Sequence, residues 1–177
     1  MIKHRRKLRS LRLKDYDYSQ GGAYFVTICT KDRQNLFGHI SGESMINNSA
    51  GQMVEKSWYD LPNHYRCELG EFIVMPNHVH GVIIILDKEQ NNSKNPVGAG
   101  LKPAPTVGLP EIVRALKTFS ARRINEQQRS PGRSIWQRGY YDHIIRDEEG
   151  IEKITEYIRC NPIRWAEDRN NPLNKKK

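Results

Sequence analysis

Short apolar runs rich in β-branched and aromatic residues alternate along this chain with segments whose apolar residues recur at helical spacing. After Gly21 and Gly22, the run Ala23-Tyr24-Phe25-Val26-Thr27-Ile28-Cys29-Thr30 predicts a first strand. Leu36–Ile40 and Glu43–Ile46 flank Ser41 and Gly42 and predict a short hairpin or loop extension. Asn48 or Ser49 can cap a helix reaching about Leu61, with Met53, Trp58 and Leu61 inward and Pro62 at its end. Glu71–Met75 reads as a strand, Pro76 and Asn77 as the centre of a tight turn, and His78–Leu86 as the returning strand.

From Asp87 to Pro110 the chain shifts to Asn, Gly, Pro and Lys, the composition of a linker or inserted loop. Pro110, Glu111 and Ile112 then open a helix. Ile112, Val113, Leu116, Phe119 and Ile124 mark its inner side, and Arg114, Lys117, Arg122 and Arg123 its outer side. Tyr140–Arg146 predicts a further strand. Asp147 starts a last helix with acid in its first turn, as the helix dipole favours, and with Ile151, Ile154 and Ile158 as its buried stripe. Asn161 and Pro162 end it. Interspersed helices and hairpin-like strands define an α+β sandwich around an antiparallel sheet.

At 177 residues the chain is most simply one domain with a real core. Its mean hydropathy of −0.76 is polar but not disordered in character, and its charge of +9 and pI near 9.6 point to a polyanionic partner, nucleic acid or an acidic membrane. Residues 1–14 form an arm with Lys3, Arg5, Arg6, Lys7, Arg9, Arg12 and Lys14 and no acid; residues 170–177 form a polar basic tail ending in Lys175–Lys177. No apolar run is long enough to span a membrane and no secretory signal opens the chain. Three widely spaced cysteines (Cys29, Cys67, Cys160) argue against a disulfide framework or zinc ribbon and for a reducing, cytoplasmic setting.

The chemistry concentrates at His78 and His80. Side chains two apart on a strand share a face, so the two imidazoles project together from an otherwise apolar run. Such a pair makes half of a metal site, or a pair of satisfied rim residues. On the last helix Tyr157 and Asn161 lie one turn apart on one face. They offer a hydroxyl nucleophile and an oxygen ligand, or a rim tyrosine and a plain C-cap. Lys153, one turn earlier, could assist electrostatically.

Four segments in this order carry a family resemblance: Ala23-Tyr24-Phe25-Val26-Thr27, Val74-Met75-Pro76-Asn77-His78-Val79-His80-Gly81, Trp136-Gln137-Arg138-Gly139-Tyr140-Tyr141-Asp142-His143-Ile144-Ile145-Arg146 and Tyr157-Ile158-Arg159-Cys160-Asn161-Pro162. Over roughly residues 15–170 the chain resembles the REP-associated tyrosine transposases, relatives of the single-tyrosine HUH transposases of bacterial insertion sequences. The resemblance implies a ferredoxin-like α+β fold, an antiparallel sheet with helices packed mainly on one face. It also implies His78, His80 and Asn161 as metal ligands and Tyr157 as nucleophile, with Tyr140 and Tyr141 as competitors for that role.

The implied activity is metal-dependent cleavage and transfer of single-stranded DNA beside a hairpin or palindromic repeat, through a 5′-phosphotyrosine intermediate. Mg²⁺ or Mn²⁺ would be the cofactor, since a site with two imidazoles should accept manganese well. Arg114, Lys117, Arg122, Arg123, Arg138, His143 and Arg146 are the expected DNA contacts, with the arm and tail. The protein would act as a monomer or homodimer. A non-catalytic DNA-hairpin binding protein that retains the fold is the alternative. Val97–Thr106 also admits the coding GTA GGG GCG GGT TTG AAA CCC GCC CCT ACN, an inverted repeat of the kind this family acts on; the gene's own nucleotide sequence tests that origin.

Overall fold

The computed structural model describes residues 20–87 and 107–174. The basic arm at 1–14, the inverted-repeat segment Val97–Thr106 with most of the 87–110 loop, and Lys175–Lys177 lie outside them. Among the described residues the chain runs β1 (Gly22–Cys29), β2 (Gly38–Ser41), β3 (Ser44–Asn47), α1 (Ser49–Tyr59), β4 (Cys67–Met75), β5 (His78–Ile85), α2 (Leu109–Gln127), β6 (Tyr141–Ile145) and α3 (Glu148–Arg159). Single-turn 3-10 helices include Lys31–Arg33 and Trp165–Glu167. No helix among the described residues is long and apolar enough to cross a membrane.

Local signals set the boundaries. The Asn48 side chain accepts from the Gly51 N–H at 3.0 Å to cap α1, and Asp147 caps α3 through Gly150 at 2.8 Å. Pro110 stands in the first turn of α2, where its missing N–H costs nothing. Between Met75 and His78 only Pro76 and Asn77 turn the chain, and neither has a positive φ.

The main sheet has strand order β4-β5-β1-β6, every neighbouring pair antiparallel, with β2 and β3 paired apart as a small hairpin. With that hairpin set aside, the order is β1-α1-β4-β5-α2-β6, the ferredoxin-like plan. Alternation along β1 divides the molecule. Tyr24, Val26 and Ile28 face a dry core with Val79 and Ile83 of β5, Val54 and Trp58 of α1, and Ile112 and Leu116 of α2. Phe25 and Val82 face the other way, against Ile145 and Ile158. Helices α1 and α2 thus cover one face, and α3 lies on the other.

Some sequence expectations need correction. Strand β4 starts at Cys67, ahead of the Glu71 start read from the pattern, because a register shift between Leu69 and Phe72 breaks the alternation. Ile151 is exposed: α3 meets the sheet through Ile154 and Ile158, its second half. Phe119 is exposed as well, its ring 5.9 Å from that of His64.

Candidate active site

The two histidines stand at the start of β5, and both are essentially fully buried. Their neighbour Gly81 points to the opposite face, where a Cβ would come within 2.4 Å of the Trp58 indole. The indole of Trp58 stacks on Phe72 at 4.4 Å and fills that space. Packing on the dry face therefore requires the glycine that follows the histidine pair.

Hydrogen bonds orient the rings. Asn77, fully buried in the turn, donates through Nδ2 to the carbonyls of Arg33 (3.0 Å) and Asn170 (2.8 Å). Its Oδ1 therefore faces His78 Nδ1 at 2.9 Å and accepts that nitrogen's proton. His78 is left with a lone pair on Nε2. Thr27 Oγ1 sits 2.9 Å from His80 Nδ1, and a hydroxyl can donate or accept, so His80 is free to present either tautomer. The two Nε2 atoms lie 3.0 Å apart. With Thr27 donating, His80 Nε2–H donates to His78; with Thr27 accepting, both lone pairs converge on one point. The second arrangement fits a divalent cation, and bonds such as those to Asn77 and Thr27 are the kind that orient imidazoles in metal sites.

Burial pushes both histidines toward the neutral form. The His80 pKa falls to about 3, through burial first and the Arg169 charge second, while its bond to Asn161 acts the other way. His78 lies well below its ordinary value, through burial, then His80 and the charges of Arg33 and Arg169. Neutral imidazole is the form that binds metal.

Helix α3 brings Tyr157 and Asn161 to this point within the same chain. Tyr157 is 41% exposed, and its hydroxyl lies 3.5 Å from His80 Nε2. Its ring stands edge-on to Phe25 (5.9 Å) and His80 (5.3 Å). Asn161 is buried just past the helix end and donates through Nδ2 to the Tyr157 carbonyl at 2.8 Å, which leaves its amide oxygen on the His80 side. All four groups expected from the sequence are brought together.

Sequence reasoning missed Asp168. Its Oδ2 lies 3.6 Å from His78 Nε2, and His78, His80 and Asp168 place one ligand atom each within 4.8 Å of one another. A lone Asp in a polar stretch gives no periodic signal. Asn170 and Asn171, read as the start of a polar tail, are buried, and Trp165 lies over His78 with ring centroids 6.0 Å apart. Arg169 is exposed above the Tyr141 ring, 6.0 Å from its centroid.

The predicted DNA contacts divide. Lys117 donates to the carbonyls of Gln137 (2.7 Å) and Gly139 (3.2 Å), Arg123 binds Asp60 and Ser57 of α1, and Arg122 pairs with Glu126. Arg114, Arg138, His143 and Arg146 are exposed. Helix α2 packs on the sheet face opposite the histidines, whereas His143, across from Phe25 on β6, shares the face of the site. Lys153 pairs with Glu149 at the surface, and Tyr141 packs edge-on against Phe25. Cys29 and Cys67 are buried and Cys160, beside Asn161, is half-buried; all are free thiols, and burial raises the Cys67 pKa to about 11.

The family profile described as "Transposase IS200 like" matches residues 88–161, a span that includes Tyr157 and Asn161 and begins just after β5. The chain belongs to the IS200-like transposases. This is a family of DNA-cleaving transposases. An uncharacterized protein of Haemophilus influenzae is 39% identical over 175 residues, spanning 94% of this chain and 93% of that relative. A second Haemophilus influenzae protein, provisionally named a REP-associated tyrosine transposase, is 27% identical over 148 residues, or 84% of this chain and 74% of its own. Among solved structures, a REP-associated tyrosine transposase bound to a REP hairpin superposes with a TM-score of 0.59 at 17% identity, over 87% of this chain and 74% of that one. The last comparison shares the fold of this IS200-like transposase.

Proposed function

We propose that this transposase cleaves and rejoins single-stranded DNA beside a hairpin, with Tyr157 as the nucleophile. The reading rests on one observation: the Tyr157 hydroxyl stands 3.5 Å from His80 Nε2, at the point where both imidazoles can converge. His78 and His80, with the amide oxygen of Asn161, would hold Mg²⁺ or Mn²⁺. A bound cation there supplies Lewis-acid neutralisation of the scissile phosphate.

The chain's own residues supply the rest. Tyr157 attacks phosphorus; the bond from its phenolic oxygen forms as the bond to the 3′-oxygen breaks, leaving a 5′-phosphotyrosine and a free 3′-OH. The phenol proton leaves to solvent on the open side of the ring, because His80, with a pKa of about 3, is a poor base. Solvent protonates the departing 3′-oxygen. Phe25 fixes the tyrosine ring edge-on, and Asn161 ties its backbone carbonyl. The phosphodiester energy is kept in the tyrosyl bond, so a DNA 3′-OH can reverse the step.

Arg138, His143 and Arg146 are the DNA contacts this reading favours, since His143 shares the site's face and all three are exposed. Because the nucleophile and the histidines come from one chain, a single copy carries every group the step needs. The fold shared with a REP hairpin-bound transposase supports a hairpin as partner. Single-stranded oligonucleotides from beside the gene, incubated with Mn²⁺, are expected to give a covalent protein–DNA band on a denaturing gel. Tyr157→Phe should abolish that band while still binding the oligonucleotide. Cleavage that survives Tyr157→Phe would identify water as nucleophile and overturn the reading.

A further inference from the structure

Asp168 is the feature that the proposed chemistry leaves unexplained. Its side chain is 8% exposed, and its Oδ2 is buried without a hydrogen-bond partner. An unpaired carboxylate oxygen in a protein interior is costly, so something is expected to complete it. The nearest group that could give a proton is His78 Nε2, at 3.6 Å. That nitrogen has none to give, because the ring's proton sits on Nδ1, committed to Asn77. Two acceptors, one oxygen and one nitrogen, therefore face each other beside His80 Nε2, which can also offer a lone pair. A cation satisfies all three.

The turn that carries Asp168 is built to hold it there. Asp168 Oδ1 accepts from the Asn170 backbone N–H at 2.6 Å, which leaves Oδ2 as the free atom. Asn170 is buried: its carbonyl accepts from Asn77 and its side-chain oxygen from Arg33 at 2.7 Å. Arg33 also donates to the Arg169 carbonyl at 2.9 Å. The turn is thus fastened to Asn77, the residue that sets the His78 tautomer. Carboxylate and imidazole are positioned by one shared network.

We propose that Asp168 is a further ligand of the divalent cation, supplied by the turn after α3 rather than by the nucleophile's helix. The inference rests on the metal reading above and adds to it. A carboxylate makes the donor set two nitrogens and two oxygens and gives it a negative charge. This shifts preference toward the hard ions Mg²⁺ and Mn²⁺. It also couples cation binding to the order of the 165–171 turn.

The test is Mn²⁺ alone, titrated into the full chain by calorimetry and electron paramagnetic resonance. Wild type should bind one ion, and His80→Ala should lose it. Asp168→Asn, which keeps the shape and removes the charge, should weaken binding roughly tenfold or more, with Mg²⁺ affected more than Mn²⁺. Asp168→Glu should recover part of the loss. Amide hydrogen exchange in residues 164–174 should slow on Mn²⁺ addition in wild type and not in Asp168→Asn. Should Asp168→Asn fail to fold, the wild type decides: four protein ligands on an octahedral ion leave about two bound waters, three ligands leave about three. Wild-type affinity in Asp168→Asn, or about three waters on the wild-type ion, overturns the role of Asp168 and leaves the metal reading standing. A wild type that binds no Mn²⁺, or a His80→Ala variant that binds it as well as wild type, removes both.

Discussion

The two faces of the sheet are made by the same strands and do opposite work. On the α1/α2 face, Tyr24, Val26, Ile28, Val79 and Ile83 pack in one apolar cluster with the Trp58 ring. On the α3 face, one residue along in each strand, Thr27, His78 and His80 are buried polar groups held by hydrogen bonds. The first face gives cohesion without direction, and the second gives direction at a cost in burial. The strand period of two lets one short sequence, His78-Val79-His80-Gly81, serve both.

The largest expected effect is on the dry side. Trp58→Ala should lower unfolding stability by about 3–5 kcal/mol in denaturant titrations, by emptying the space against Gly81 and Phe72. Gly81→Ala strikes the same contact from the other direction, forcing a methyl into the indole; about 1–3 kcal/mol is the loss to measure. If either change left stability intact, the two faces would differ less than their packing suggests.

A pH titration of the metal-free protein addresses the polar side. His80 has a folded pKa of about 3 against 6.5 in the unfolded chain, so below pH 6.5 the unfolded state binds more protons. Stability is full above pH 6.5 and lost as pH falls toward 3. At pH 5 the His80 share of that loss is about 2 kcal/mol, and His78 adds to it in the same direction. In His80→Phe the slope between pH 6.5 and 5 should flatten. An unchanged slope would mean that the imidazole is not held neutral.

Smaller effects sharpen the contrast. Asn77→Ala should cost about 1–3 kcal/mol and also weaken Mn²⁺ binding on the order of tenfold, since it frees His78 to change tautomer. Arg122→Ala, on the outer side of α2, should leave the unfolding midpoint and DNA binding unchanged within error. A clear drop in oligonucleotide affinity for Arg122→Ala would instead bring the α2 surface into the DNA contact area.

Much of this was legible in the chain because the signals are local. The Pro76–Asn77 turn, the same-face histidines and the one-turn spacing of Tyr157 and Asn161 each follow from backbone periods. The meeting of the two pairs does not; it rested on a family resemblance until the fold brought the Tyr157 hydroxyl of α3 within 3.5 Å of His80. Asp168 was invisible because its partners lie far away in sequence and no spacing rule links them. Lys117 and Arg123 read as solvent-facing cations, but helical periodicity cannot tell a solvated charge from one that bridges to a neighbouring element. Residues 67–70 were missed for a similar reason, since a bulge erases the alternation by which a strand is recognised.

The unequal shelter of the cysteines offers a practical handle. Cys29 and Cys67 are enclosed, while Cys160 sits partly open between Tyr157 and Asn161 in sequence. A maleimide fluorophore should therefore mark Cys160 first, planting a dye one helical turn from the phenol. Its emission would report the arrival of an oligonucleotide in real time, without any engineered thiol.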